Sequence, residues 1–164
     1  METTLLRFGM LSLSLMGALA FSSCSISKTS PTDLTLPGLR RLDHFAVHVT
    51  DLPKSAEFYQ RVFGFDIINK WKTTWMVGND RMRVGLFLRP KATKVADPDN
   101  SILIEHVAFL TDKHNFDRCL AVLDQLGIQH EAPDDSGIAK SVFFNDPDGH
   151  SLEITYYYEH IPTL

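Results

Sequence analysis

From Arg40 onward the chain states one pattern twice, and that repeat narrows the choice of fold more than any other feature of the sequence. Leu42 to Val49 alternates as a strand. Asp51 then stands as a helix cap with Pro53 near the first helical position, and Lys54 to Phe63 reads as a helix closed by Gly64. The second copy runs Ile104 to Leu110 as a strand, Thr111 or Asp112 as cap, and Asn115 to Leu126 as a helix. That helix carries Phe116, Cys119, Leu120 and Leu123 on one face and stops before Gly127. Three short strand-like runs follow each helix: Phe65 to Trp71, Thr74 to Val77 and Met82 to Leu88, then Ile128 to Glu131, Ala139 to Phe144 and Ser151 to Tyr157. The predicted class is α+β: two tandem βαβββ modules, residues 40–90 and 103–158, forming an open, cup-shaped mixed β-sheet barrel with the helices outside.

The last hairpin is the most explicit stretch. Asp146-Pro147-Asp148-Gly149 fits a type I turn, with Gly149 free to take the left-handed conformation that closes it. Beyond the turn Leu152, Ile154 and Tyr156 share one strand face, and Ser151, Glu153, Thr155 and Tyr157 the other. A carboxylate on a polar face either meets water or needs a partner in a cavity. In the first strand His44, Ala46 and His48 share a face, and in the equivalent strand His106, Ala108 and Leu110 do. By the same alternation Asp43 and Glu105 point away from the histidines.

These residues resemble the vicinal oxygen chelate superfamily of glyoxalases, bleomycin-resistance proteins, extradiol dioxygenases and fosfomycin-resistance proteins. The resemblance is carried by Leu42-Asp43-His44, Asp51-Leu52-Pro53, Phe58-Tyr59, Gly64-Phe65, Glu105 to Phe109, and Asp146 to Glu153, and it spans residues 40–160. It implies His44, His106 and Glu153 as ligands of one divalent metal, iron, manganese, zinc or nickel. It also implies a small-molecule substrate with two neighbouring oxygens, turned over in a lyase, isomerase or extradiol dioxygenase reaction. The alternative is a non-catalytic drug- or metabolite-binding protein of the bleomycin-resistance type. Members build the site within one chain or between two, so a homodimer is an expected partner. Two departures weigh against direct transfer of those activities: Phe143 where many extradiol dioxygenases and the fosfomycin transferases carry a tyrosine, and Ala46 where fosfomycin transferases carry a threonine.

Further site candidates are His48 and His130 as acid or base, and Trp75, Arg83, Phe87 and Phe143 as substrate contacts, with Trp71 and Arg89 nearby. A formal charge of −4 offers no basic excess for nucleic acid. The N-terminus differs in kind. The apolar run Phe8 to Ala20 is too short to span a bilayer but has the length of a signal-peptide core. Residues 1–23 therefore read as an export signal, with Phe21-Ser22-Ser23-Cys24 resembling a bacterial lipoprotein box and Cys24 as the lipidation site. Residues 24–39 then form a tether, and the lipid anchor is the chain's expected membrane contact. With Cys24 and Cys119 the only cysteines, no disulfide framework is implied.

Overall fold

The computed structural model describes residues 41–158; the signal-peptide, lipid-anchor and tether readings fall outside them. The first module runs β1 (Phe45–Val49), α1 (Leu52–Phe63), β2 (Asp66–Lys70), β3 (Thr74–Gly78) and β4 (Arg83–Leu88). A connection holding one 3₁₀ turn at Pro98–Asn100 leads to the second: β5 (Val107–Leu110), α2 (Lys113–Gln125), β6 (Asp134–Asp135), β7 (Ala139–Asn145) and β8 (Ser151–Tyr157). Each module is a four-stranded mixed sheet in the same order, β1-β4-β3-β2 and β5-β8-β7-β6, with the first strand parallel to the last. The two sheets are hydrogen-bonded separately and are not closed into a barrel.

The helices start and stop as their end residues dictate. Asp51 accepts the Lys54 N–H at 3.0 Å and Asp112 accepts that of Asn115 at 2.8 Å, satisfying donors that the first turn leaves free. Gly64 ends α1 at φ +65°. In the second module Ile128 to Glu131 does not form the expected strand. His130 makes a single bridge to Phe144, and the edge strand is the two-residue β6 instead.

One face of each sheet is packed. Val47, Val49, Val84, Leu86 and Val77 are buried with Leu52, Ala56 and Tyr59 of α1, while Phe109, Leu152, Ile154 and Tyr156 are buried with Phe116 and Leu123 of α2. Those two packed sides also hold the modules together. The Phe63 ring of α1 lies 4.5 Å from that of Phe109 and 6.3 Å from that of Phe144, and Phe45 meets Phe109 edge-on at 6.0 Å. The opposite faces are consequently turned outward, and Ala46, His48, Ala108 and Leu110 are exposed on them.

The Asp146–Gly149 turn is the polar half of the same junction. Gly149 N–H bonds back to the Asp146 carbonyl at 3.0 Å and Gly149 takes φ +91°, as the turn chemistry predicts. Asp148 Oδ1 accepts the Thr50 N–H at 2.8 Å and its hydroxyl at 2.6 Å, and Ser55 Oγ lies 2.9 Å from Oδ2. Asp146 receives the Tyr59 hydroxyl at 3.1 Å, and His150 Nε2 donates to the His48 carbonyl at 2.7 Å.

Candidate metal centre on the open faces

Register decides which side chains reach the outward faces. In the second sheet Ala108 is opposite Glu153, Phe143 is opposite Glu153 on the other side, and Ser141 is opposite Thr155. His106, one residue ahead of β5, comes onto this face as the alternation requires: its Nε2 lies 3.0 Å from Glu153 Oε2. Phe143 stands beside the pair, its ring edge-on to the His106 imidazole at 5.4 Å and 71°.

Glu153 is 7% exposed, yet its carboxylate is accommodated. Oε1 lies 2.5 Å from Ser141 Oγ, which is in turn 2.9 Å from Thr155 Oγ1. Neither hydroxyl was singled out from the sequence. The signal was available in the turn, because pairing Asn145 with Ser151 across Asp146–Gly149 sets Ser141 against Thr155 on the face of Glu153.

His44 stands one residue ahead of β1 in the first module and is exposed. Among the described residues no three His, Cys, Asp or Glu side chains are gathered closely enough to hold a metal, so His44 does not join His106 and Glu153 within the chain. Its surroundings nevertheless have a defined order. His44 Nδ1 is 2.9 Å from Asp43 Oδ2, and Arg83 donates to Asp43 Oδ1 at 2.8 Å. The Asp43 carboxylate can only accept, so Nδ1 carries the proton of this bond and Nε2 is the nitrogen left outside it. The His44 hydrogen bond, assisted by Arg83, holds the Asp43 carboxyl below its ordinary range. This corrects the expectation that Asp43 points away from His44. Residues 42–44 precede β1 and do not follow its pleat.

The remaining candidates separate. Phe87 pairs with His48 in register on the first open face, and its ring edge lies 3.0 Å from where a Cβ on Gly85 would stand, so Gly85 leaves room for it. Trp75 does not line that face. It pairs with Leu86, packs against the core, and its ring is capped by Lys70 Nζ at 4.1 Å. Arg83 is committed to Asp43 rather than free for an anion, and Arg89 turns its guanidinium onto the Leu88 carbonyl at 2.8 Å. His130 bridges to Phe144, away from Glu153. Its Nδ1 donates to the Glu131 carbonyl at 2.8 Å, and its Nε2 lies 3.3 Å from Asp124. The carbonyl bond first, and Asp124 after it, raise the His130 pKa against the opposing effect of burial.

Two packed βαβββ modules, each a four-stranded mixed sheet backed by one helix, define the fold class of the vicinal oxygen chelate proteins. The chain belongs to the Glyoxalase/Bleomycin resistance protein/Dioxygenase superfamily, whose family model matches residues 41–154. It is 31% identical over 122 residues to the metallothiol transferase FosB of Lysinibacillus sphaericus, covering 70% of this chain and 81% of that protein. It is 30% identical over 116 residues to the glutathione transferase FosA of Serratia marcescens, covering 71% and 80%. Among solved structures, a glyoxylase/bleomycin resistance protein/dioxygenase domain from Frankia sp. EAN1pec superposes with a TM-score of 0.64 at 16% identity, covering 76% of this chain and 96% of that one, a likeness of fold.

Proposed function

We propose that the chain is an exported metal-dependent enzyme whose site is completed by two copies: His106 and Glu153 from one, His44 from the other. The observation that carries this reading is the 3.0 Å approach of His106 Nε2 to Glu153 Oε2 on an outward face, while His44, exposed ahead of β1 in the other module, has only its Nδ1 engaged, by Asp43. Two imidazoles and one carboxylate suit iron, manganese, zinc or nickel and leave further positions for ligand. Apolar side chains left in water beside both ligand sets favour a second copy as the cover: Leu42 is 74% exposed, Ile104 81% and Leu110 71%.

When bound, the metal supplies Lewis-acid polarisation of two neighbouring substrate oxygens. The chain's own residues do the rest. Glu153 and His106 fix one side of the substrate position, Phe143 closes it with an apolar ring, and Phe87 with His48 presents an opposing aromatic and basic surface. The hydroxyls nearest Glu153, those of Ser141 and Thr155, are engaged with the carboxylate and with each other. Phe143 and Ala46 supply none. The set of two histidines and one carboxylate favours lyase, isomerase or dioxygenase chemistry over the thiol transfer named for the FosA and FosB relatives. Export, with lipid attached at Cys24, rests on the N-terminal sequence; mass spectrometry of the mature N-terminus tests it.

The deciding experiment is metal content of purified protein beside Glu153→Ala, followed by mixing His44→Ala with Glu153→Ala protein. One metal per two-copy site, lost in each variant and regained in about a quarter of sites on subunit exchange, is the expected result. Retention of metal by Glu153→Ala overturns it, and small-molecule binding that survives the same substitution favours the non-catalytic binding protein.

A further inference from the structure

Glu153 has two carboxylate oxygens in different surroundings. Oε2 faces His106 at 3.0 Å, whereas Oε1 is 2.5 Å from the Ser141 hydroxyl, a length typical of a charge-assisted O–H···O⁻ bond. The direction of that bond is fixed by proton counting. Ser141 Oγ has one proton and two candidate acceptors, Glu153 Oε1 and, at 2.9 Å, Thr155 Oγ1. Were it given to Thr155, an ionised carboxylate would face oxygen lone pairs with no proton between them. Ser141 therefore donates to Glu153, and Thr155 donates to Ser141, since the Lys140 carbonyl, at 3.4 Å, is the weaker alternative acceptor. Strand pairing supports the chain, because Ser141 and Thr155 are in register and Glu153 lies on the same face as both.

The geometry points to Ser141 as a positioning residue for the metal site: it holds Glu153 Oε1, so that the carboxylate presents Oε2 alone, on the His106 side. This rests on the metal-site reading above. A carboxylate freed from Ser141 rotates and offers both oxygens, or neither in the right place. Thr155, 7% exposed, keeps the Ser141 proton pointed at Glu153 by occupying the serine lone pair.

The test is Zn(II) affinity of the metal-stripped full chain, measured by competition with a chromophoric chelator, for wild type, Ser141→Ala, Ser141→Thr and Thr155→Val, with Co(II) absorption recorded in parallel. Ser141→Ala is expected to weaken Zn(II) binding about 10- to 100-fold, the range for loss of a group that orients a ligand. Its Co(II) spectrum should change in shape as the glutamate's mode of binding changes, and Ser141→Thr should restore both. Thr155→Val, which leaves Ser141 in place, should weaken binding less than Ser141→Ala. Unchanged affinity and spectrum in Ser141→Ala, beside a wild type that binds, overturns the assignment of Ser141 alone. A wild type that takes up neither ion overturns the metal-site reading and this inference with it.

Discussion

The Tyr59 hydroxyl donates a 3.1 Å hydrogen bond to Asp146 Oδ2, tying α1 of the first module to the turn between β7 and β8 of the second. Asp146 is 5% exposed, and its other oxygen accepts the Asp148 and His150 N–H groups at 3.0 and 2.9 Å. Burial pushes the Asp146 carboxyl above its ordinary value despite these donors. Folding therefore favours the protonated form. The carboxyl's contribution to stability declines as pH rises from about 4 through the raised folded value.

Tyr59→Phe should cost about 2 kcal/mol at neutral pH, because it strips a donor from a buried carboxylate. Asp146→Ala should cost more, leaving the tyrosine hydroxyl and two backbone N–H groups without their acceptor. Asp146→Asn should fall within about 1 kcal/mol of wild type, since an amide keeps the backbone bonds and removes the buried charge. Urea denaturation across a pH series checks this. An asparagine variant as unstable as the alanine one would show that the charge itself holds the turn.

Asp148, two residues on, titrates in the opposite sense. Burial alone would raise it, but the Thr50 and Ser55 donors outweigh that and hold its carboxyl below the ordinary range. A depressed folded value means stability present above the unfolded value and lost as pH falls through the folded one. Asp148→Asn should thus cost about 1–2 kcal/mol at pH 7, and the difference from wild type should shrink steadily below about pH 4. Parallel urea melts at pH 7 and pH 3 would read it directly; a penalty of equal size at both would assign the loss to shape rather than charge.

These two carboxylates mark where the sequence stops being legible. Asp146-Pro147-Asp148-Gly149 announces its turn by local rules, and the turn does form. That both side chains grip the other module, through Tyr59, Thr50 and Ser55, is a contact between residues about ninety positions apart, which no local rule encodes. The repeat, both helices and the faces of His106 and Glu153 followed from period alone. Trp75 was misplaced for want of register: alternation pairs it with Val77, but only the pairing with Leu86 shows that this face is the packed one. The run Ile128 to Glu131 has strand composition, yet α2 ends against it and Asp124 engages His130, so the edge passes to Asp134–Asp135.

Two acceptors, the Glu131 carbonyl and Asp124, face the His130 ring nitrogens, and they raise its pKa. A raised histidine contributes stability that is complete below the unfolded value, near 6.5, and lost as pH rises through the folded value. An NMR titration should place its midpoint above the ordinary histidine value of about 6.5, and Asp124→Asn should bring it partway back. His130→Gln should leave metal content unchanged, because the side chain faces α2 and not Glu153. Loss of metal in that variant would restore His130 to the site.

Asp43 is where a carboxylate beside the proposed ligand His44 should show its effect. It accepts the Nδ1 proton of His44 on one oxygen and the Arg83 guanidinium on the other, so the imidazole is held by Nδ1 and Nε2 is left outside that bond. Asp43→Asn keeps the size of the side chain but removes the charge that favours this tautomer, and should weaken metal binding about tenfold with the fold intact. Arg83→Gln should produce a smaller loss of the same kind, since Asp43 would keep His44 but lose its own anchor. Zn(II) competition and thermal melts on the same samples separate the two effects. If Arg83→Gln instead left metal affinity untouched and weakened an anionic ligand, Arg83 would be a substrate contact after all, and Asp43 its counter-ion.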